Sequence, residues 1–145
     1  MILIASDHAG YDTKEQLKKF LKENNYEVED LGTNSKESVD YPDFAFKLAT
    51  DVSEKKVDFG VTICGSGFGM SIACNKVKGI RCAKVSDELE AKLCKEHNNA
   101  NVIALSSRLP QSLCNSIVKI YLETPFSNDE RHIRRLDKIS KYECQ

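Results

Sequence analysis

Residues 57–76 read VDFGVTICGSGFGMSIACNK, and this stretch decides the predicted fold. Its first seven residues form an apolar run that is typical of a buried strand, and the segment from about Phe68 to Lys76 is typical of a short helix. Between the two lies a glycine-rich loop, Gly65-Ser66-Gly67-Phe68-Gly69, which directly follows Cys64. A strand, a glycine-rich turn and a helix in direct succession indicate a parallel α/β sheet.

The same alternation of strand and helix extends in both directions along the chain. Strands are predicted at residues 2–5, 26–32, 57–63, 80–85 and 102–105, and a helix follows each of them. Ser86 is the predicted N-cap of the fourth helix, Pro110 opens the fifth, and Asn128 caps a further C-terminal helix. We therefore predict one domain, residues 1–145, with a doubly wound, Rossmann-like α/β fold: a five-stranded parallel sheet with helices on both faces and a C-terminal helix.

The composition argues against nucleic acid and membranes as partners and favours a cytoplasmic location. Twenty-one basic residues nearly balance 22 acidic ones, so the chain has no broad positive field for nucleic acid or a membrane surface. Neither a secretory signal nor a membrane-spanning run is present in the sequence, which favours a cytoplasmic protein. The six cysteines contain no C-x-x-C pair, so we expect free thiols and neither a zinc site nor a redox-active disulfide.

Candidate functional residues follow the first and third strands. Parallel sheets bind ligands at the carboxyl ends of their strands, so Asp7, His8 and Cys64 are expected to line one crevice. The amides of the glycine-rich loop could hold an oxyanion or a phosphate, although such turns also serve tight packing alone. Cys64 could act as a thiolate base or simply fill the core. Asp7 and His8 could bind a sugar phosphate, or they could be a loop histidine and a helix-capping aspartate.

Two further groups of polar residues lie later in the chain. The segment His97-Asn98-Asn99-Ala100-Asn101 could move a proton and hold a hydroxyl group, or it could merely end a helix. Arg131 and Arg135 lie four residues apart on one predicted helical face, where they could clamp a phosphate or form a solvated charged surface. Arg108, just after the fifth strand, is a third candidate for phosphate binding.

Taken together, these segments resemble the type B ribose-5-phosphate isomerases, and the resemblance covers most of the chain. It is carried by Ser6-Asp7-His8-Ala9-Gly10, Asp40-Tyr41-Pro42, Cys64-Gly65-Ser66-Gly67-Phe68-Gly69-Met70-Ser71-Ile72-Ala73, Asn75-Lys76, Gly79-Ile80-Arg81, His97-Asn98-Asn99-Ala100-Asn101-Val102, Ser107-Arg108 and Arg131-His132.

The resemblance implies that the chain interconverts D-ribose 5-phosphate and D-ribulose 5-phosphate through an enediol or enediolate, without metal or organic cofactor. It implies that Cys64 moves the proton between C2 and C1 and that His97 is the acid that helps to open the furanose ring. The remaining roles implied are sugar binding or ring opening by Asp7, His8, Ser66 and Asn98, phosphate binding by Arg108, Arg131 and Arg135, and a place in the site wall for Tyr41.

The chain departs from the family pattern at two places. Asn128-Asp129-Glu130 stands where many relatives have Glu-Gly-Gly, and Phe68 stands in the glycine loop where a smaller aliphatic residue is common. Two rival functions also stay open: an isomerase of allose or galactose 6-phosphate, and a nucleotide-binding regulatory module in which Cys64 is buried and inert.

The order of the elements predicts how the site is assembled. Cys64 ends a strand, whereas His97 and Asn98 precede one, so the two groups are expected at opposite edges of the sheet. We therefore expect a homodimer in which His97 and Asn98 of one subunit reach Cys64 of the other, as the family resemblance also implies. Pairing of dimers into tetramers is left open by the sequence.

Overall fold

The computed structural model describes residues 1–54 and 57–144, in which strands and helices alternate. The strands are β1 (Ile2–Ser6), β2 (Val28–Asp30), β3 (Phe59–Cys64), β4 (Cys82–Lys84) and β5 (Val102–Ser106). The helices are α1 (Tyr11–Glu23), α2 (Tyr41–Ser53), α3 (Phe68–Cys74), α4 (Glu88–Glu96), α5 (Gln111–Glu123) and α6 (Glu130–Glu143).

The strands form one parallel sheet in the order β2-β1-β3-β5-β4. The chain passes from β1 to one edge as β2, crosses back to β3, goes on to the other edge as β4, and then returns to place β5 between β3 and β4. This places the switch in winding direction between β1 and β3, where open α/β sheets form a ligand crevice. The predicted five-stranded parallel sheet is confirmed.

Both faces of the sheet are covered, because alternate residues of each strand point to opposite sides. Ile4, Ile63 and Leu105 share one apolar cluster with residues of α1, α4 and α5. Ala5 and Cys64 share the other cluster with residues of α2 and α3. Cys64 therefore faces the side of the sheet that α2 and α3 cover.

Two predicted helix caps are wrong by one residue. Asp87 rather than Ser86 caps α4, because Asp87 Oδ1 accepts a hydrogen bond from the Glu90 amide at 2.8 Å, while the Ser86 amide donates to the Glu90 side chain. Asp129 rather than Asn128 caps α6, because its carboxylate accepts from the Arg131 amide at 2.9 Å. Asn128 instead adopts a positive φ of 57° in the turn before the cap.

Two edge strands are shorter than predicted. β2 covers three residues of the predicted 26–32, and β4 covers three residues of the predicted 80–85. Just before β4, the Arg81 amide donates to the Asn101 side chain at 2.8 Å, while the Arg81 carbonyl accepts from the Asn101 amide at 3.1 Å.

Helix α6 differs from the others because most of its surface is exposed. The apolar residues Ile133, Ile139 and Tyr142 are exposed. Among the residues of α6, which the structure describes in full, only His132 is buried. None of the helices in the described part of the chain is long and apolar enough to cross a membrane.

Candidate active site

The loop after β1 lies directly against the end of β3. The Asp7 amide donates to the Ile63 carbonyl at 3.2 Å, and the Asp7 carboxylate accepts from the Gly10 amide at 3.0 Å. A Cβ atom at Gly10 would lie 2.7 Å from the Ile63 carbonyl oxygen, so only glycine allows this close crossing. The structure thus brings Asp7 and His8 to the same end of the sheet as Cys64, as the sequence predicts.

Cys64 is the last residue of β3 and is 4% exposed. The Gly67 amide donates a hydrogen bond to Cys64 Sγ at 3.2 Å. Gly67 has a φ of 82°, a left-handed conformation in which the chain turns from the loop into α3. A hydrogen-bond donor directed at the sulfur suits a cysteine that acts as a base or a nucleophile.

Ser106 connects the glycine-rich loop to the segment that carries Arg108. Its hydroxyl donates to the Gly65 carbonyl at 2.7 Å and accepts from the Arg108 amide at 3.1 Å. Sequence reasoning assigned no role to Ser106. The signal available was a hydroxyl residue ending an apolar strand opposite Cys64, with which it pairs in the sheet.

His8 and Tyr41 border the crevice on the side of α2. The Val39 amide donates to His8 Nδ1 at 3.1 Å, which assigns the ring proton of neutral His8 to Nε2. Tyr41 packs so closely on the loop that a Cβ atom at Gly69 would lie 2.6 Å from its ring. Gly69 therefore makes room for Tyr41, and Tyr41 forms a wall of the loop.

Phe68 and Lys84 lie on the other side of the loop. Phe68 is 60% exposed, and Lys84 Nζ lies 4.6 Å from the centre of its ring while donating to the Ser86 hydroxyl at 3.0 Å. Lys84, which sequence reasoning overlooked, places a cation next to the loop. Its signal was a charged residue at the carboxyl end of a strand.

His97 and Asn98 lie at the opposite edge of the sheet, at the end of α4. Both side chains are exposed. The Arg81 guanidinium donates to the carbonyls of Asn98 and Asn99 at 3.0 and 2.9 Å, and burial lowers the pKa of Arg81. The Asn101 side chain also donates to the Gly79 carbonyl at 2.9 Å. These bonds fix the backbone that presents His97.

Arg131 and Arg135 belong to this second group. Both are exposed on α6, and His132, which lies between them, stacks on His97 with a distance of 4.5 Å between ring centres. The described residues thus form two groups, which we name half-sites. The carboxyl-end half-site comprises Asp7, His8, Tyr41, Cys64, Gly65, Ser66, Gly67, Phe68, Gly69 and Arg108; the amino-end half-site comprises His97, Asn98, Arg131 and Arg135.

The two half-sites cannot meet within one chain. Gly60 pairs with Val102 at the amino end of β5, and Cys64 pairs with Ser106 at its carboxyl end. Four residues of extended strand, about 13 Å, therefore separate the level of the His97 loop from that of Cys64, with the sheet between them. Within the described residues, no three His, Cys, Asp or Glu side chains cluster closely enough to hold a metal ion.

The fold agrees with comparisons to known proteins. The family model of ribose/galactose isomerases matches residues 2–139. The chain belongs to the ribose/galactose isomerase family. Among curated members of this isomerase family, a probable ribose-5-phosphate isomerase B from Mycoplasma genitalium is 45% identical, covering 98% of this chain and 95% of that protein.

Solved structures of ribose/galactose isomerases share the whole fold. Ribose-5-phosphate isomerase B from Clostridium thermocellum is 45% identical, with a TM-score of 0.96 over 99% of this chain and 97% of the other. The Mycoplasma genitalium enzyme, solved with bound ribulose 5-phosphate, is 44% identical, with a TM-score of 0.95 over 99% and 96% of the two chains.

Proposed function

We propose that this chain is a ribose-5-phosphate isomerase that interconverts D-ribose 5-phosphate and D-ribulose 5-phosphate in the pentose phosphate pathway. The observation that carries the proposal is the hydrogen bond that the Cys64 sulfur accepts from the Gly67 amide. Cys64 lies beside the switch point between β1 and β3. The proposal is supported by a relative of 44% identity solved with bound ribulose 5-phosphate. The proposed isomerase domain spans the whole chain, residues 1–145.

Cys64 is the proposed base. As a thiolate it removes the proton from C2 of the open-chain aldose and returns it to C1 of the resulting enediolate. Negative charge then develops on the substrate oxygens at C1 and C2. The amides of Gly65, Ser66 and Gly69 and the Ser66 hydroxyl are donors in the loop next to the sulfur, and they suit this charge. Neither step needs a metal or an organic cofactor.

Other residues of the carboxyl-end half-site hold the sugar. In the proposal, Asp7, His8 and Ser66 bind hydroxyl groups or assist ring opening, Tyr41 and Phe68 form walls, and Arg108 contacts the phosphate. The amino-end half-site supplies His97 as the acid that opens the furanose ring, Asn98 as a hydroxyl ligand, and Arg131 and Arg135 as further phosphate ligands.

We infer that the active unit is a homodimer, in which each site joins the two half-sites of different subunits. The separation of His97 from Cys64 across the sheet supports this. So does the apolar surface of α3, where Phe68 and Ile72 are 60% and 61% exposed beside the glycine-rich loop. A second copy that covers this surface would bring its own His97 toward Cys64.

The proposed location is the cytoplasm. All six cysteines are free thiols, the form that a reducing compartment maintains. A phosphorylated sugar substrate fits the same compartment.

An aldose-ketose assay tests the reaction. Wild-type protein should convert ribose 5-phosphate, and Cys64→Ala should lower kcat about 10²–10⁴-fold while the thermal unfolding midpoint stays close to wild type. Cys114→Ala is the matched control, because Cys114 is also buried but lies on the opposite face of the sheet. Full activity of Cys64→Ala would exclude Cys64 as the base.

The substrate range separates the proposal from its nearest rival. The family description covers galactose as well as ribose, so allose 6-phosphate and galactose 6-phosphate belong in the same assay. We expect a kcat/KM for ribose 5-phosphate at least tenfold above either six-carbon sugar. The reverse order would favour the six-carbon isomerase.

Mixed dimers test the shared site. Cys64→Ala and His97→Ala proteins are each expected to be inactive, but a dimer of the two contains one site with both residues intact. After unfolding and refolding together, an equal mixture should recover about a quarter of wild-type activity, since about half of random pairs are mixed. Activity no higher than that of the parents would show that each site is self-contained.

A further inference from the structure

His132 has a place in the structure that the proposed reaction does not use. It is only 6% exposed, whereas the arginines on either side of it along α6 are exposed. One face of its ring lies against His97, with 4.5 Å between ring centres and an angle of 35° between ring planes. Phe126 flanks it at 6.5 Å. The contact therefore joins the end of α4 to the first turn of α6.

The ring of His132 is also held from its edge. Ser127 Oγ lies 2.6 Å from His132 Nδ1 and accepts a hydrogen bond from the Asp129 amide at 3.1 Å. The Ser127 amide donates to the carbonyl of Glu96, the residue before His97. Ser127 thus binds both the buried ring and the end of α4, so the two histidines are anchored through the same residue.

The surroundings of His132 favour an uncharged ring. Burial and then the charges of His97, Arg131 and Arg135 lower the pKa of His132, against which Asp129 acts in the opposite direction. A neutral ring can stack on His97 whether His97 is protonated or not, whereas two imidazolium rings would repel one another. The contact is therefore compatible with a His97 that gains and loses a proton.

We propose that His132 is a positioning residue that fixes the distance between His97 and the pair Arg131 and Arg135. His132 shares its helix with both arginines, so any shift of the His97 ring relative to His132 is also a shift relative to them. A sugar phosphate has a fixed length between its ring oxygen and its phosphate, so the acid and the phosphate ligands must have matching separation. The inference rests on the proposed function.

The test separates ring opening from proton transfer. Isomerisation of ribose 5-phosphate needs both steps, whereas deuterium uptake at C1 of open-chain ribulose 5-phosphate needs only the Cys64 step. His132→Gln should lower kcat/KM for ribose 5-phosphate about 10–100-fold. Deuterium uptake at saturating ribulose 5-phosphate should stay within about threefold of wild type, and His132→Phe, which keeps a stacking ring, should recover most of the isomerisation.

Two further variants control for folding and charge. Ser127→Ala leaves both rings in place. It should also slow isomerisation without slowing deuterium uptake, but the loss in kcat/KM should be smaller, about 3–10-fold. Arg134→Gln removes a charge from α6 about 200° around the helix from His132 and should leave both rates near wild type. Thermal unfolding of every variant identifies any that fails to fold.

The outcomes distinguish this inference from the proposed function. Wild-type protein that does not isomerise ribose 5-phosphate would contradict the function and this role with it. Wild-type turnover together with unchanged isomerisation by His132→Gln and Ser127→Ala would overturn the inference alone, as would equal losses in isomerisation and deuterium uptake. A nuclear Overhauser effect between the rings of His97 and His132 checks the contact itself, since the chain has three histidines and their signals are readily assigned.

Discussion

The chemistry of the Cys64 loop depends on single backbone conformations. Gly67 adopts a φ of 82°, and a Cβ atom there would lie 3.2 Å from the Leu105 carbonyl carbon. Gly65 has more room, because its nearest neighbour would be the Ala9 Cβ atom at 3.8 Å. The two glycines, two residues apart in the same loop, therefore differ in how strictly glycine is required.

We expect Gly67→Ala to lower the free energy of unfolding by about 1–2 kcal/mol, because alanine is strained at positive φ and its methyl group meets the β5 backbone. The same change should alter the rate of alkylation of Cys64 by iodoacetamide, since the amide that donates a hydrogen bond to the sulfur is displaced. Chemical denaturation and mass spectrometry measure the two effects. Gly65→Ala is the control and should cost less than about 1 kcal/mol; equal costs would contradict the role given to φ.

At the scale of elements, a buried ion pair connects α1 to β2. Lys14 is fully buried, and its Nζ lies 2.5 Å from the Asp30 carboxylate, which also binds Lys18 at 2.7 Å. The Gly32 amide donates to Asp30 at 2.8 Å. The pair holds the end of β2 and helix α1 together beside β1, the strand that leads to Asp7 and His8.

Removal of Asp30 leaves the buried Lys14 ammonium group with two weaker contacts, the Glu15 carboxylate at 3.3 Å and the Tyr11 ring at 5.3 Å. Asp30→Ala should therefore lower the free energy of unfolding by about 3 kcal/mol. Asp12→Ala is the matched control, because Asp12 pairs with Lys36 while both side chains are about 70% exposed, and it should cost at most about 1 kcal/mol. Similar losses in urea denaturation would show that burial of the pair is unimportant.

The same pair predicts a dependence of stability on pH. Burial acts to raise the pKa of Asp30, but hydrogen bonds from Lys14, Lys18 and Gly32 together hold it below its ordinary value of 3.8. A carboxyl group with a lowered pKa stabilises the fold when ionised. The stability difference between wild type and Asp30→Ala should thus be constant above about pH 5 and shrink as the pH falls through 3.8. Urea denaturation across this range measures it, and a difference that grows on acidification would contradict the assignment.

At the scale of the whole molecule, exposed apolar residues lie where the proposed partner subunit must sit. Phe68 and Ile72 are four residues apart on α3, next to Cys64, and both are more than half exposed. Leu89 is 63% exposed on α4, which packs on the opposite face of the sheet. The position of an apolar residue, rather than its exposure alone, therefore decides whether it belongs to the proposed interface.

We expect Ile72→Glu to weaken self-association at least tenfold and to lower activity in parallel, because a charge buried in the interface is costly and the shared site is lost with the dimer. Sedimentation equilibrium and the isomerase assay measure the two effects. Leu89→Glu should change neither. A monomeric Ile72→Glu protein with full activity would contradict the shared site.

The sequence was sufficient for the order of the elements and for the placement of Asp7, His8 and Cys64 at one end of the sheet. Strand periodicity and the glycine-rich loop predict the sheet, and any parallel sheet brings Asp7 and Cys64 to the same edge. It was less exact at helix starts, where Ser86 and Asp87 are both good caps and only the observed hydrogen bond selects Asp87. Ser106 and Lys84 were overlooked because their roles depend on the loop that they contact.

What the sequence alone determined is the fold, the resemblance to a sugar-phosphate isomerase family and the place of Cys64 at the end of a strand, because these depend on local periodicity and contiguous motifs. What only the tertiary structure decided is the direction of the Gly67 amide toward the sulfur and the stacking of His132 on His97. The two histidines are 35 positions apart in the sequence. No local pattern specifies such a contact, since it results from packing α6 against the end of α4.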